Sequence, residues 1–572
     1  MEKMLTQGYF QKYHNSATIK KIKHVYESCV TETEDWSSVN EMIDTVEKEI
    51  LKDKSQKSIA EAVAFLQSSF GLETFFKLRV LANFQEPDGD HPYLVYLNSN
   101  PEFDMGGNAE LLKTNVSSTK KTFVNSTSDF GVELVQLVSD SFSDKSSNWE
   151  ILDLKTLDPK KYRFDFKTYF GILLNNSQTI DIDTVKVVIT DPDYFEGLSD
   201  LISRTDLKSL KSFFLDSLEK SILTDFDHCI HVIEKYVPHV ATVIYLSTYD
   251  ESEIQSAREK VFKKFKDIVQ EMKKSVLKYL DSEDQRKLVE ERLQKVGLTS
   301  DKPDWLLVEK NSFEIKRNET IRQFGNWRYC KNGNCLVSED RPWEVSPAGF
   351  EEEHKDLLIY SNFSKLETLL QLRKFAFIKS VSRLADETAA SRSSTFESAP
   401  MSKTKVGYSR TGNWIFLPVA SFIDTDEKLL TIQLSRQVAK VVDSQAFRWS
   451  PVGIKKLINN DNIEKFVPEA ILEQEKCFRD HGLTGKDFNL AVGLEIAYKI
   501  LKKSENYSNK KHLQLDLARI AAHDEGLLLW GKDTDFHSET PGVADVGSSE
   551  VTVCRVESRI KKSSGLKMSR ID

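Results

Sequence analysis

"LLTIQLSRQVAKVVDSQAF", residues 429–447, reads as a short helix whose last turn carries an unusual set of side chains. Arg436 and Lys440 stand four positions apart, so on a helix they share one face, with Gln437 beside the first of them. Two residues at that spacing can grip a single metal ion, and a residue between them can work as a base on metal-bound water. The side chains here are the wrong ones for that task. Arginine keeps its proton, lysine would have to lose one to offer a lone pair, and a glutamine amide cannot act as a general base. The flanks give the helix a setting: "NWIFLPVA" at 413–420 reads as a strand before it, and "GLEIAYK" at 493–499 as part of a later helix.

Further out, the chain has 572 residues, enough for several domains or one large two-lobed body. Its composition, 40% hydrophobic and 29% charged, is that of a folded protein, and its net charge of −9 argues against a nucleic-acid partner. No window approaches the 18 or so consecutive apolar residues that span a bilayer. The first residues, "MEKMLTQGYFQKYHNSATIKKIKH", lack the apolar core of a signal peptide, so the sequence carries no export signal of its own. Against this stand Asn-X-Ser/Thr sequons at Asn115, Asn125, Asn175, Asn318, Asn362 and Asn506, which fit a secreted history. Of the six cysteines, Cys330 and Cys335 are close enough to bridge around a turn, and are too isolated for a zinc ribbon.

Helical periodicity dominates. One helix is expected to start at Asp250 and to bury Ile254, Ala257, Val261, Phe265, Ile268, Met272 and Tyr279. A second is expected across "TDLKSLKSFFLDSLEKSIL", started by Thr205 or Asp206. Strands are expected at Tyr93–Leu97, Val185–Thr190 and Trp414–Ala420. The small, polar, aperiodic stretch from Ala385 to Lys405 reads as a linker, and residues 555–572 as a basic flexible tail.

Several segments, in order, resemble the neprilysin and endothelin-converting-enzyme family of zinc metalloendopeptidases. They are "KIKHVYESCVTETED", "PDYFEGLSDLISRTDLKSLKSFF", "HCIHVIEKYVPHVATVIYLSTYDESE", "GNWIFLPVASF", "GKDFNLAVGLEIAYKILKK", "FHSETPG" and the late "CRV". The resemblance covers nearly the whole chain in patches, and "GLEIAYK" is its best anchor. It implies a mainly α fold with a small β sheet (α+β): a thermolysin-like lobe and a helical lobe enclosing a cavity. The thermolysin-like lobe would take residues 1–150 and 396–554, and the helical lobe residues 151–395.

The resemblance also places the site. Arg436 and Lys440 fall where the His-Glu-x-x-His motif has its zinc ligands, and Gln437 where it has its base. Lys486 falls at the third ligand and Leu490 at the aspartate that orients one. Asp443 and His537 match family residues, whereas Asp545 stands where an arginine is expected. The substrate-gripping Asn-Ala pair corresponds to Lys405 and Val406. The spacing from Pro418 to Arg436 is shorter than the family's, so a loop has been lost. Disulfides implied are Cys29 with Cys229 and Cys477 with Cys554; Cys330 with Cys335 rests on proximity alone. The resemblance thus implies zinc, but the residues imply none and no hydrolysis by the family mechanism. The expectation is a catalytically inactive homologue, outside the cell, binding peptides or partner proteins. Arg436, Lys440 and Lys486, with Lys405 and Val406 beside them, would hold an acidic group or a C-terminal carboxylate, with Asp443 placed to neutralise them. The rivals are an active zinc metalloendopeptidase with relocated ligands and an unrelated helical interaction scaffold. The only His/Cys cluster, His228, Cys229, His231 and His239, is broken by Pro238 and is a poor metal site.

Overall fold

The structure is a computed structural model that describes residues 16–31, 36–86, 89–99, 129–141, 151–157, 162–174, 180–247, 249–280, 282–299, 329–331, 334–336, 351, 354–385, 406–423, 425–451, 457, 467–480 and 485–503. It is mostly helical with small sheets. The described residues divide into two compact units. One takes those up to residue 248 and those between 344 and 390; the other takes those of 249–303, those of 322–343 and those from 391 onward.

The first unit opens with three helices, α1 (Ala17–Thr31), α2 (Trp36–Glu49) and α3 (Gln56–Phe70). Gly71 closes α3 at φ +61°, a left-handed cap that glycine adopts without strain. Strands β1 (Lys77–Ala82) and β2 (Tyr93–Asn98) then pair antiparallel, Val80 opposite Val95. After α4 (Asp129–Ser141), β3 (Ile151–Asp153) and α5 (Phe166–Leu174) comes β4 (Lys186–Ile189), which inserts parallel to β2 and antiparallel to β3. The sheet order is therefore β1-β2-β4-β3. Helices α6 (Pro192–Arg204), α7 (Leu207–Phe226), α8 (Cys229–Tyr236) and α9 (Pro238–Leu246) complete this run. The expected start of α7 holds: the Asp206 carboxylate accepts the Ser209 backbone N–H at 2.9 Å.

The chain next builds α10 (Glu251–Leu277), α11 (Glu283–Lys295), β5 (Gly297–Thr299) and the hairpin β6 (Tyr329–Lys331) and β7 (Asn334–Leu336) of the second unit. It returns to the first unit as α12 (Lys365–Ser382). The second unit resumes with β8 (Gly407–Ser409), β9 (Trp414–Phe416), α13 (Ala420–Ile423), α14 (Glu427–Ala439), α15 (Glu469–Asp480) and α16 (Gly485–Lys502). Its sheet has the order β5-β9-β8. In α10, Ile254, Val261, Phe265, Ile268 and Met272 are buried, and the Glu253 carboxylate accepts the Asp250 N–H. The strand expected over Trp414–Ala420 ends at Phe416, because Pro418 has no N–H to give a ladder and its carbonyl instead accepts from Ser421 to start α13. The hairpin sets Cys330 opposite Cys335 in register.

The units cut the chain differently from the boundaries at 150 and 395 that the sequence suggests. Pairing of β2 with β4 joins the two sides of residue 150 in one sheet, and α12 packs on α3 within the first unit. The first unit's core is aromatic. Phe75 meets Phe130, Phe213 and Phe214, and Phe76 meets Phe164, Phe166, Tyr169 and Phe195, all with centroids 5.1–6.3 Å apart.

Two long-range ties cross this core. Cys29 on α1 and Cys229 at the start of α8 form a disulfide, 200 positions apart in sequence. Arg373 of α12 is buried against Asp225 of α7, with Nε 2.9 Å from Oδ2, and also donates to the carbonyls of Ser221 and Phe70. Tyr236 gives its hydroxyl proton to the same Asp225 oxygen at 2.7 Å. Removing one partner of such a pair leaves a charge in the core without compensation. Arg373→Met is therefore expected to cost about 3–5 kcal/mol, read as a lower denaturation midpoint in urea; a loss below about 1 kcal/mol would show that Lys235 and Tyr236 alone hold Asp225.

Candidate functional site

The helix of the opening sequence is α14. Asp426 caps it, accepting from the N–H groups of Lys428 and Leu429 at 2.8 and 3.2 Å. Leu430–Ser435 and Gln437–Ala439 are buried, so the helix is covered nearly all round, with Arg436 half-buried. At Lys440 it tightens into the 3-10 turn Lys440–Val442. Gln437 is 5% exposed, and its Oε1 is buried with no hydrogen-bond partner among the described residues.

Helix α16 crosses α14 at Gly493. A β-carbon there would lie 2.7 Å from both the Cα and the N of Arg436, closer than real contacts allow, so only glycine lets the two backbones meet. One turn earlier, Leu490 packs in an apolar cluster with Ile432, Leu494, Ala497, Tyr498 and Leu501. Lys486 lies in the first turn of α16, and its side chain is outside the described residues.

Asp443, the acid three residues past Lys440, is 3% exposed and fully engaged. Oδ1 accepts the Ala446 N–H at 2.9 Å. Oδ2 takes Arg410 Nη2 at 2.5 Å and Asn489 Nδ2 at 3.2 Å, with Arg410 Nε 3.4 Å from Oδ1. Its side-chain partners among the described residues are thus an arginine from the β8–β9 turn, which meets it in a two-pronged guanidinium–carboxylate pair, and an amide from α16. Glu475 of α15 accepts the Ser444 N–H at 2.8 Å; burial, with Asp443 adding its charge, pushes its carboxyl above the ordinary range. Arg292 of α11 donates to the carbonyls of Val441 and Trp449 at 3.1 and 2.6 Å and lies over the Phe447 ring at 5.4 Å. The segment following α14 is thereby clamped by Arg292, Arg410 and Glu475. None of these, nor Asn489, was singled out by the sequence, because partners 31 to 157 positions apart leave no local pattern.

Zinc, which the sequence resemblance implies, does not fit these residues. Arg436 and Lys440 are cations at neutral pH, Gln437 offers only a neutral amide oxygen, and Leu490 sits in apolar packing. The described residues hold no group of three His, Cys, Asp or Glu able to bind a metal ion. Val406, just before β8, is 3% exposed. Lys405, His537, Asp545 and Cys554 lie outside the described residues, and Cys477 on α15 is disulfide-bonded. In the first unit Cys229 is consumed by its disulfide, and His228 precedes α8 as its cap residue. His239 lies at the start of α9, held down to about 3 by burial and by the nearby His354 and Arg383.

The close crossing makes a test. Ala is a better helix former than Gly by about 1 kcal/mol, yet Gly493→Ala should lower stability by a net 1–3 kcal/mol or so from overpacking. Denaturant unfolding distinguishes the two signs. His239 makes another. Its folded pKa lies below the unfolded value of about 6.5, so its neutral burial stabilises the chain above that pH and is lost as pH falls from about 6.5 toward 3. His239→Gln should flatten the fall in thermal midpoint over that window; an unchanged slope would assign the acid sensitivity to other groups.

The comparisons with known proteins agree with one another. A family model described as peptidase family M13, covering its N-terminal part, matches residues 1–222. The fold is similar to that of a Haemonchus galactose containing glycoprotein complex, with a TM-score of 0.56 at 12% identity over 88% of this chain and 75% of that one. It is also similar to the Mycobacterium tuberculosis zinc metalloprotease Zmp1 in complex with an inhibitor, with a TM-score of 0.55 at 12% identity over 97% of this chain and 83% of that one. No curated protein matches the sequence. Residues 1–222 thus match the N-terminal part of peptidase family M13, and the fold along the chain is similar to that of a zinc metalloprotease.

Proposed function

We propose that this chain is a non-hydrolytic member of the family, acting by binding peptides or partner proteins. The observation that carries the reading is the position of Gln437. By the sequence resemblance it stands at the place of the catalytic base, with Arg436 and Lys440 at the ligand positions, and the helix that carries it is buried nearly all round. An amide there cannot take a proton from water, a loss of roughly 10²–10⁴-fold by itself. Cations at the ligand positions repel a divalent metal, which removes both the Lewis acid and the activated water. Leu490, packed in its apolar cluster, supplies no carboxylate to orient a ligand.

Binding, on this reading, draws on the same positions. Arg436 and Lys440, with Lys486 and Lys405 of the sequence-based assignment, would receive a peptide's terminal carboxylate or acidic side chain, and Val406 would border the same strip. The name of the Haemonchus relative, a glycoprotein complex, is compatible with a role in assembly. The Cys29–Cys229 disulfide supports an oxidising compartment, outside the cell or in the secretory pathway.

The test joins metal analysis to cleavage. Purified protein is expected to contain far less than one zinc per chain and to leave a quenched peptide library uncut, with or without chelator. One zinc per chain with chelator-sensitive cleavage would overturn the proposal in favour of an active peptidase with other ligands. For binding, amidating the C-terminus of a captured peptide, or changing Arg436 and Lys440 together to Met, should weaken its affinity by about tenfold, the worth of one charge-assisted hydrogen bond.

A further inference from the structure

The segment between residue 356 and α12 is extended and alternates sharply. Leu357 and Ile359 are buried at 0% and 6% exposure, while Leu358 and Tyr360 stand 53% and 54% exposed. The buried pair fixes the segment on the first unit's core, and Lys21 Nζ donates to the Leu357 carbonyl at 2.7 Å. Two large apolar side chains side by side in solvent are thus a feature of a firmly held backbone. The chain then turns: Phe363 N–H donates to the Tyr360 carbonyl at 3.1 Å, so residues 360–363 form a β-turn with exposed Asn362 at its third position. The Phe363 ring meets Tyr360 edge-on, with centroids 5.1 Å apart and planes at 80°, and holds it upright.

Asn362-Phe363-Ser364 is a sequon, and the other five lie outside the described residues. We propose that Asn362 is an N-glycosylation site whose first N-acetylglucosamine packs on Tyr360. The reaction forms a bond from Asn362 Nδ2 to the sugar C1 and breaks the C1–O bond of a polyprenyl-diphosphate-linked oligosaccharide. Polyprenyl diphosphate leaves, and the amide nitrogen gives up one proton to solvent. An exposed turn leaves room for the glycan, and the ring two residues earlier offers the apolar C–H face of a sugar a flat partner. The sugar would cover the Leu358–Tyr360 patch, which otherwise faces water.

The fold also dates the event. Ser364 caps α12: its hydroxyl accepts the Glu367 N–H at 3.3 Å and donates to Glu367 Oε2 at 3.0 Å. A transferase that reads the sequon hydroxyl finds it already engaged in the folded chain, so transfer precedes the closing of this cap.

The full chain, directed into a eukaryotic secretory pathway by an added signal sequence, would be treated with peptide N-glycosidase in heavy-oxygen water. Mass spectrometry is expected to find Asn362 converted to labelled aspartate, and Asn362→Gln to abolish that peptide. Asn362→Gln keeps the cap, whereas Ser364→Thr keeps both cap and sequon and should stay glycosylated. Tyr360→Ala is expected to lower the Tm of the glycosylated chain by roughly 2 °C and to leave that of the Asn362→Gln chain unchanged. Unlabelled Asn362 in the recovered protein overturns the site. Equal Tm shifts in the two backgrounds overturn the packing on Tyr360 and point instead to a protein partner for the patch.

Discussion

Two helices can touch backbone to backbone only where one of them lacks a side chain, and α14 and α16 do so at Gly493 and Arg436. The geometry of the candidate site hangs on that crossing. It fixes which turn of α16 faces α14, sets Leu490 into the apolar cluster around Ile432, and brings Asn489 within reach of Asp443. This packing depends on a missing β-carbon and not on a metal.

Asp443 ties several elements of the second unit together. By resemblance it belongs to the shell that orients a zinc ligand. Here it holds Arg410, Asn489 and the turn at Ala446, and with Arg292 it pins the segment after α14. Converting it would leave Arg410 without its partner, a cost that would be felt in folding whether or not a peptide were ever cut. The match to the family at this position therefore speaks to architecture.

Much of the fold could be read from the chain because its signals are local. Asp206 and Asp250 announce their helices through short polar loops into apolar periods, and the apolar strands at Tyr93 and Lys186 are bounded by turn residues. The candidate site was legible only through the resemblance, which sets Arg436, Gln437 and Lys440 at the spacing of a motif whose donors they do not supply. What remained hidden was non-local. The parallel pairing of β2 with β4 joins residues about ninety positions apart, and Arg410 finds Asp443 across 33, so neither leaves a periodic trace. The strand at Trp414 is shorter than its apolar run for a nearer reason, the proline that ends its ladder.

The Cys29–Cys229 bond encloses 200 positions of chain, including the whole four-stranded sheet and the aromatic core. A protease that nicks the backbone anywhere inside that loop opens a ring without releasing a piece. Both fragments stay joined by a covalent bond as well as by their packing, and part only when the sulfurs are reduced. Such a loop turns one cut from a loss into a scar.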